Sequence, residues 1–426
     1  MRTSIKQTPP RTAVRRIAAG RLISVTGGAA AYTALGFTVW DQTHSPWMQA
    51  LSLLLTFGVA GILGPFAGAL GDRFDRRRVM VVSELVSAAF FASMALVQDP
   101  GLLIALAFGS ALAELPFFSA SRAAIPSLVR DEADLSWANS LVTVGVHSGI
   151  ALGPVIGGVL LAAFGDASWV FGINAVSFVV SVLITLTVHA PFRQAGNRAD
   201  HSDHGGIAAG LTFLWRDRVL RRMSAAWLVF VIGMGMSMVA DAPLAEVFGA
   251  GEVGFGLLIA CWGLGSVLGS AAGRWMSART EPMWLVAGAF GIAIAAFGVA
   301  LAPAFALVLV SLLVMGTSDG LTIVAENGIM QRRTPDAIRS RTMGAFEAVI
   351  SLGLAISYIV AGPVLDAVTP QGVYLIGGVT ALAAAFVLVP LRTLRPVGGD
   401  EVIEPPVAPA AAVVGEPIVS AAETSS

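Results

Sequence analysis

Apolar stretches of about 20 residues recur along most of this chain, and that recurrence limits the fold more than any other feature. About 20 residues of α-helix suffice to cross a hydrocarbon core roughly 30 Å thick. The chain has 426 residues, 56% of them hydrophobic and 12% charged, whereas an ordinary soluble domain carries about 25% charged residues. That composition excludes a water-soluble fold and predicts an all-α, polytopic membrane protein. The pattern predicts twelve spans, at 17–40, 48–71, 79–98, 101–126, 137–163, 168–190, 222–247, 254–276, 282–301, 303–331, 340–366 and 371–392. Several contain Gly and Pro, which membrane helices tolerate because neighbouring groups satisfy the freed backbone.

The cations sort by side. With twelve spans, all 26 Lys and Arg residues fall in the N-terminal segment, in the even-numbered connections or after span 12. The opposite side carries Asp41, His44, Asp99, Asp166, Glu252 and Asp366. A wrong span count would scramble this sorting, so the positive-inside bias supports twelve spans with both termini in the cytoplasm. It also accounts for the basic stretch GALGDRFDRRRVM (Gly68 to Met80), a short loop pinned at a membrane, and no nucleic-acid partner is expected. The basic start resembles a signal peptide, but its apolar run is long and eleven more follow, which predicts an uncleaved anchor.

The single cysteine, Cys261, falls inside span 8. No internal disulfide and no thiolate metal cluster can form from it, and no cofactor or metal is expected. There is no H-E-x-x-H, no G-x-S-x-G and no histidine cluster to support an enzyme. The phrase GLGSVLG (Gly263 to Gly269) lies in an apolar helix with no strand before it, so it reads as helix packing rather than a nucleotide loop.

The longest internal connection, residues 191–221, divides the chain into a bundle at 1–190 and a bundle at 222–395, with a tail at 396–426 whose Pro, Ala, Val and acid content predicts disorder. The halves echo each other. Gly153-Pro154 answers Gly362-Pro363, and GALGDR ending span 2 answers GSAAGR ending span 8. Two six-helix halves related in this way are a transporter architecture with its site between them.

These motifs resemble the major facilitator superfamily. Its loop between helices 2 and 3 follows G-x-L-a-D-R-x-G-R-R, matched here by Gly68, Leu70, Asp72, Arg73, Arg76 and Arg77, with Asp75 in place of the later glycine. That departure is similar to the branch containing macrolide and siderophore exporters. Span 5 holds Gly149, Gly153, Pro154, Gly157 and Gly158, filling every fixed position of the antiporter motif G-x-x-x-G-P-x-x-G-G. The resemblance covers about residues 17 to 395. It implies the major facilitator fold and export in exchange for protons. It also implies that Asp72, near the N-terminal end of helix 11 and paired with Arg73 or Arg76, latches the cytoplasmic side. The bland alternatives are topology alone for the loop and packing alone for the glycines.

Ionisable side chains inside spans are costly and tend to face a cavity. This chain places Glu84, Glu114, Asp241, Asp319, Glu326 and Glu347 there, with no comparable cation at depth. Glu114 and Asp319 lie nearest the midplane on equivalent spans of the two halves. Each can exchange a proton with the two sides, in competition with a cationic or donor-rich substrate. His147, two residues before Gly149, is a further relay candidate, and His201 and His204 read as solvated. The expected partners are an amphiphilic small molecule, protons and the bilayer, and the expected state is a monomer in a bacterial inner membrane. A nutrient importer on the same fold is the alternative, and a non-transporting receptor or scaffold the more distant one.

Overall fold

The computed structural model describes residues 8–59, 62–63, 74–129, 132–190, 192, 206–335 and 338–393. Among these, all regular structure is helical. The helices are α1 (Pro10–Thr43), α2 (Pro46–Leu53, continued as π-helix over Leu54–Val59), α3 (Arg76–Met94), α4 (Pro100–Leu128), α5 (Glu132–Phe164) and α6 (Ala167–Leu186). They continue with α7 (Gly206–Arg216), α8 (Arg218–Val247), α9 (Gly251–Ala272), α10 (Glu281–Ala300), α11 (Phe305–Arg333), α12 (Arg339–Ala367) and α13 (Pro370–Leu388). Nine of these, α1, α4, α6 and α8 to α13, are long and apolar enough to cross a membrane. The other three expected spans are α2, α3 and α5, so the architecture is consistent with twelve. The short helix α7 lies within the long central connection and is additional.

Local chemistry explains the helix starts. Ser45-Pro46, Asp99-Pro100 and Thr369-Pro370 each combine a side chain that caps the first turn with a proline that needs no donor there. The Asp99 carboxylate accepts from the Leu102 N–H at 2.7 Å. Asp166 accepts from the Ser168 N–H at 2.9 Å, a bond that holds its carboxyl below the usual range. Two of the acids sorted to the arginine-poor end are therefore helix caps. Gly165, Gly249 and Gly251 take left-handed φ values of 67°, 63° and 56° in the tight turns at that end.

The helices of the first six pair in a pattern that the last six repeat. α1 packs on α5 and α6, and α3 on α4 and α6; correspondingly α8 packs on α12 and α13, and α10 on α11 and α13. The two most extensive contacts that cross from one set to the other are α5 on α9 and α2 on α12, and these are also equivalent under the repeat. The four largest buried apolar clusters follow the same division, and a smaller one joins Ala50 of α2 to Met236 and Tyr358 across it. One joins Phe91, Met94, Phe171 and Phe178, another Phe117, Ile125 and Val188. The main clusters of the later helices are built on Leu220, Met223 and Phe346 and on Leu244, Leu258 and Tyr374.

The sequence reading is corrected at two points. Helix α1 begins at Pro10, seven residues before the expected 17, so Arg21 is about three turns inside it. Arg21 is buried, donates to Ser121 Oγ at 2.9 Å and lies over the rings of Phe117 and Phe118 at 5.5 and 5.4 Å. One cation therefore does sit inside the bundle, sheltered by aromatic faces and a hydroxyl. Helix α8 likewise starts at Arg218 rather than 222, because Asp217 caps it through the N–H groups of Val219 and Leu220 at 2.8 and 2.9 Å. The same carboxylate pairs with Arg333 at the end of α11 at 2.9 Å.

Candidate functional site

The acids expected at depth are brought into two chemically different settings. In the first set of helices, Glu114 of α4 accepts from Tyr32 Oη at 3.5 Å and from Ser110 Oγ at 3.3 Å. Tyr32 is held by Phe57 and Phe91, with centroids 5.6 and 5.7 Å away. Glu84 of α3 is 1% exposed and accepts from Ser181 Oγ at 2.5 Å, with Arg21 close enough to act on it electrostatically. In the second set, Asp241 of α8 accepts from Tyr374 Oη at 2.5 Å. Tyr358 stands nearby and donates to Met238 Sδ at 3.2 Å. The chain has only three tyrosines, and each lies beside one of these acids. No sequence spacing links them, so the pairing was invisible before the fold.

Asp319 and Glu326 are different. Both lie on α11 and are 7% exposed. Asp319 has no hydrogen bond or ion pair among the described residues. The Trp227 indole stands beside Glu326, whose Oε2 is buried without a partner, as is Glu84 Oε2 in the first set. Glu347 of α12 is exposed and within electrostatic reach of Glu326. No group of three or more His, Cys, Asp or Glu residues among the described residues could hold a metal ion.

The antiporter-type motif uses two faces of α5. Gly149, Gly153 and Gly157 face α1: a Cβ would lie 3.1 Å from the Thr26 N at Gly149 and 2.7 Å from the Thr26 carbonyl at Gly153, and at Gly157 it would overlap the Ala30 carbonyl. Pro154 and Gly158 face α9 of the other set. A Cβ at Gly158 would lie 2.9 Å from the Glu252 carbonyl, and one at Gly256 would lie 2.7 Å from the Pro154 carbonyl. The motif is therefore a seam between the two sets as well as a packing face within one. His147 lies on the same helix, but its side chain is outside the described residues, as are His201 and His204.

Of the loop motif, Gly68, Leu70, Asp72 and Arg73 lie outside the described residues. Arg76 donates to Ser127 Oγ at 3.2 Å and to the Phe192 carbonyl at 3.3 Å, and Arg77 to the Leu186 carbonyl, so both reach across their own half. Asp75, which departs from the family pattern, caps α3 by accepting from the Arg78 N–H at 3.0 Å.

At the arginine-poor end, bonds join the two sets directly. Trp40 Nε1 donates to Glu246 Oε2 at 2.7 Å, and Trp47 Nε1 donates to Asp366 Oδ2 at 3.1 Å. His44 Nε2 stands 3.6 Å from Glu246 Oε1. This clasp was not expected from sequence.

The model of the family described as Major Facilitator Superfamily matches residues 17–336 and 232–421. The chain belongs to that superfamily. Among its relatives is the "Enterobactin exporter EntS" of Escherichia coli O1:K1 / APEC, 27% identical over 408 residues, covering 92% of this chain and 95% of the relative. A protein of the same name from Shigella boydii serotype 4 (strain Sb227) matches to the same extent. The solved nucleoside transporter NupG is similar at 16% identity with a TM-score of 0.68, covering 90% of this chain and 100% of that one. A bacterial homologue of the human lysosomal transporter Spinster, inward-facing and occupied, is similar at 14% identity and a TM-score of 0.65, covering 91% and 96%. These two likenesses bear on the fold alone. This superfamily member is thus a multi-pass membrane transporter and not an enzyme.

Proposed function

We propose that this transporter exports an amphiphilic small molecule from a bacterial cytoplasm in exchange for protons, by alternating access of two bundles, 1–190 and 222–395. One observation carries the reading: carboxyls stand inside the helices of both halves, half-buried Glu114 on α4 and buried Asp319 on the equivalent α11, in a chain similar over nearly its full length to an exporter. An acid held out of water exchanges a proton more readily than it carries a bare charge, which suits it to couple proton entry to substrate release. In this reading the basic loops and both termini face the cytoplasm. The Trp40, His44, Trp47, Glu246 and Asp366 clasp closes the outside, and the Gly68 to Arg77 loop closes the inside in the alternate state. Asp241, Glu326 and His147 are secondary coupling groups, and the Pro154–Gly158 face of α5 is the surface on which the halves rock. The protein acts as a monomer in the inner membrane and contributes to drug or siderophore-like efflux.

The test is accumulation of a labelled compound panel in cells with and without the gene, followed by transport into inverted vesicles driven by an imposed pH gradient. Lower accumulation and gradient-driven uptake by inverted vesicles support export by antiport. Higher accumulation supports the importer alternative and overturns the proposal.

A further inference from the structure

Between α7 and α8 the chain turns at Asp217, and cations gather around the turn. Arg216, Arg218, Arg221 and Arg222 are all exposed. Arg218, Arg221 and Arg222 are spaced three and four apart, so they share one face where α8 begins. Arg221 Nη1 donates to the Trp215 carbonyl at 3.1 Å, which satisfies the last turn of α7 and draws that guanidinium over the helix end. Arg216, Arg218 and Arg222 have no hydrogen bond or ion pair among the described residues. Asp217 and Glu281, acids of this same end, are buried and already paired with Arg333 and Arg332. One face of α7 is packed: Phe213 and Leu214 join Leu220, Met223 and Leu391, and a Cβ at Gly210 would overlap the Arg341 carbonyl of α12. A second apolar face stays open, where Leu211 and Trp215, one turn apart, are 37% and 55% exposed.

We propose that this corner binds the headgroup of an anionic phospholipid, with α7 lying in the plane of the membrane interface. The position follows from the fold, since α8 is a membrane span that begins at Arg218. An indole and a leucine beside four guanidiniums match such a helix, its apolar side chains at the acyl boundary and its cations level with the phosphates. A planar guanidinium gives two parallel N–H bonds to phosphate oxygens. Four cations with no exposed carboxylate among them call for an anion that brings no cation of its own, which selects phosphatidylglycerol over a zwitterionic lipid. A soluble phosphate would meet the guanidiniums but leave Leu211 and Trp215 in water; the lipid accounts for both. Because α7 packs on α8 and α12, the bound lipid ties the second set of helices to the bilayer surface at the arginine-rich end. The site is independent of the direction of transport and of the coupling ion.

The test uses the full-length protein in nanodiscs of equal parts phosphatidylglycerol and phosphatidylcholine, with retained lipid read by native mass spectrometry. Phosphatidylglycerol should be retained at least tenfold over phosphatidylcholine. The triple variant Arg216→Gln, Arg218→Gln, Arg222→Gln should bring the two lipids within twofold, each guanidinium near an anionic surface contributing about fivefold. A control that removes equal charge elsewhere at the same end, Arg15→Gln, Arg78→Gln, Arg279→Gln, should keep most of the preference. Because a variant can misfold, the unmutated protein supplies a second measurement, labelling of arginines by phenylglyoxal read by peptide mass spectrometry. Arg216, Arg218 and Arg222 should label at least fivefold more slowly in phosphatidylglycerol than in phosphatidylcholine nanodiscs. Equal retention of the two lipids, or equal loss of preference in the control variant, would overturn the site. So would protection by inorganic phosphate in phosphatidylcholine nanodiscs, which marks a soluble anion as the ligand. Full protection in phosphatidylcholine alone would do the same, and would point to the acids of residues 396–426 as the cover.

Discussion

The indole of Trp40, at the end of α1, donates a 2.7 Å hydrogen bond to the carboxylate of Glu246, at the end of α8, from 206 positions away. These two helices occupy equivalent places in the two six-helix sets, so the bond ties the sets together where they must separate if the transporter is to open at that end. A second indole, Trp47, does the same with Asp366. Both pairs are solvent-accessible, and a charged acceptor makes each stronger than a neutral pair but leaves it breakable.

Removing the clasp should favour opening. Trp40→Phe keeps the ring and deletes the donor, and Glu246→Gln deletes the charge. Each should cost the closed arrangement about 1 kcal/mol, or roughly fivefold in the ratio of closed to open. Spin labels placed at the ends of α2 and α12 and read by pulsed dipolar spectroscopy would report the shift. An unchanged distance distribution in the double variant Trp40→Phe, Trp47→Phe would show that the indoles do not hold that end shut.

Stability at the basic end should depend on Asp217. Its carboxylate caps α8 and pairs with Arg333 at 2.9 Å while being only 6% exposed. Asp217→Ala removes both functions and leaves the guanidinium without its counter-charge, a loss of about 3 kcal/mol or more. Asp217→Asn retains capping ability and should lose less. Thermal unfolding of the purified variants in detergent would rank them; equal midpoints for the two would mean that the cap contributes nothing beyond the ion pair.

The two faces of α5 should give different phenotypes. Gly157→Val places a side chain against the Ala30 carbonyl of α1, inside one half, and should reduce stability and yield. Gly158→Val meets the Glu252 carbonyl of α9, across the seam. Its effect should fall on interconversion of the two states and lower turnover in vesicles while the unfolding midpoint changes little. If Gly158→Val and Gly157→Val lose stability equally, the seam is a static packing surface and not one on which the halves move.

What could be read in advance depended on how local the signal was. The twelve apolar periods and the sorting of arginines needed only the chain's own order, and Asp99-Pro100 and Thr369-Pro370 mark helix starts within three residues. The glycines of GIALGPVIGG indicated a close helix approach but not that the approach is shared between α1 and α9, because sequence does not name the partner. Arg21 sorts with the N-terminal cations because it falls at the very start of an apolar run that begins at residue 17; the helix starts at Pro10 instead, which carries the cation about three turns inward. The Tyr32 to Glu114, Tyr374 to Asp241 and Trp40 to Glu246 bonds join residues 82, 133 and 206 apart. They arise from helix packing alone, and no spacing announces them.

The contrast between Asp319 and Glu114 leads to the last prediction. Glu114 is the acceptor for two hydroxyls, so Glu114→Ala strands Tyr32 and Ser110 in an apolar setting and should destabilise the protein by about 1–3 kcal/mol, whereas Glu114→Gln keeps an acceptor and should be mild. Asp319 has no bond to lose among the described residues, so Asp319→Asn should leave the unfolding midpoint unchanged or raise it. If both carboxyls couple protons to export, Asp319→Asn and Glu114→Gln should nevertheless abolish pH-gradient-driven transport at normal protein levels. A stable protein without transport is the pattern expected of a functional acid that is retained at a cost to folding. Gradient-driven transport in inverted vesicles, measured beside thermal unfolding of the same preparations, separates the two effects, and unchanged transport in either variant removes that carboxyl from the coupling mechanism.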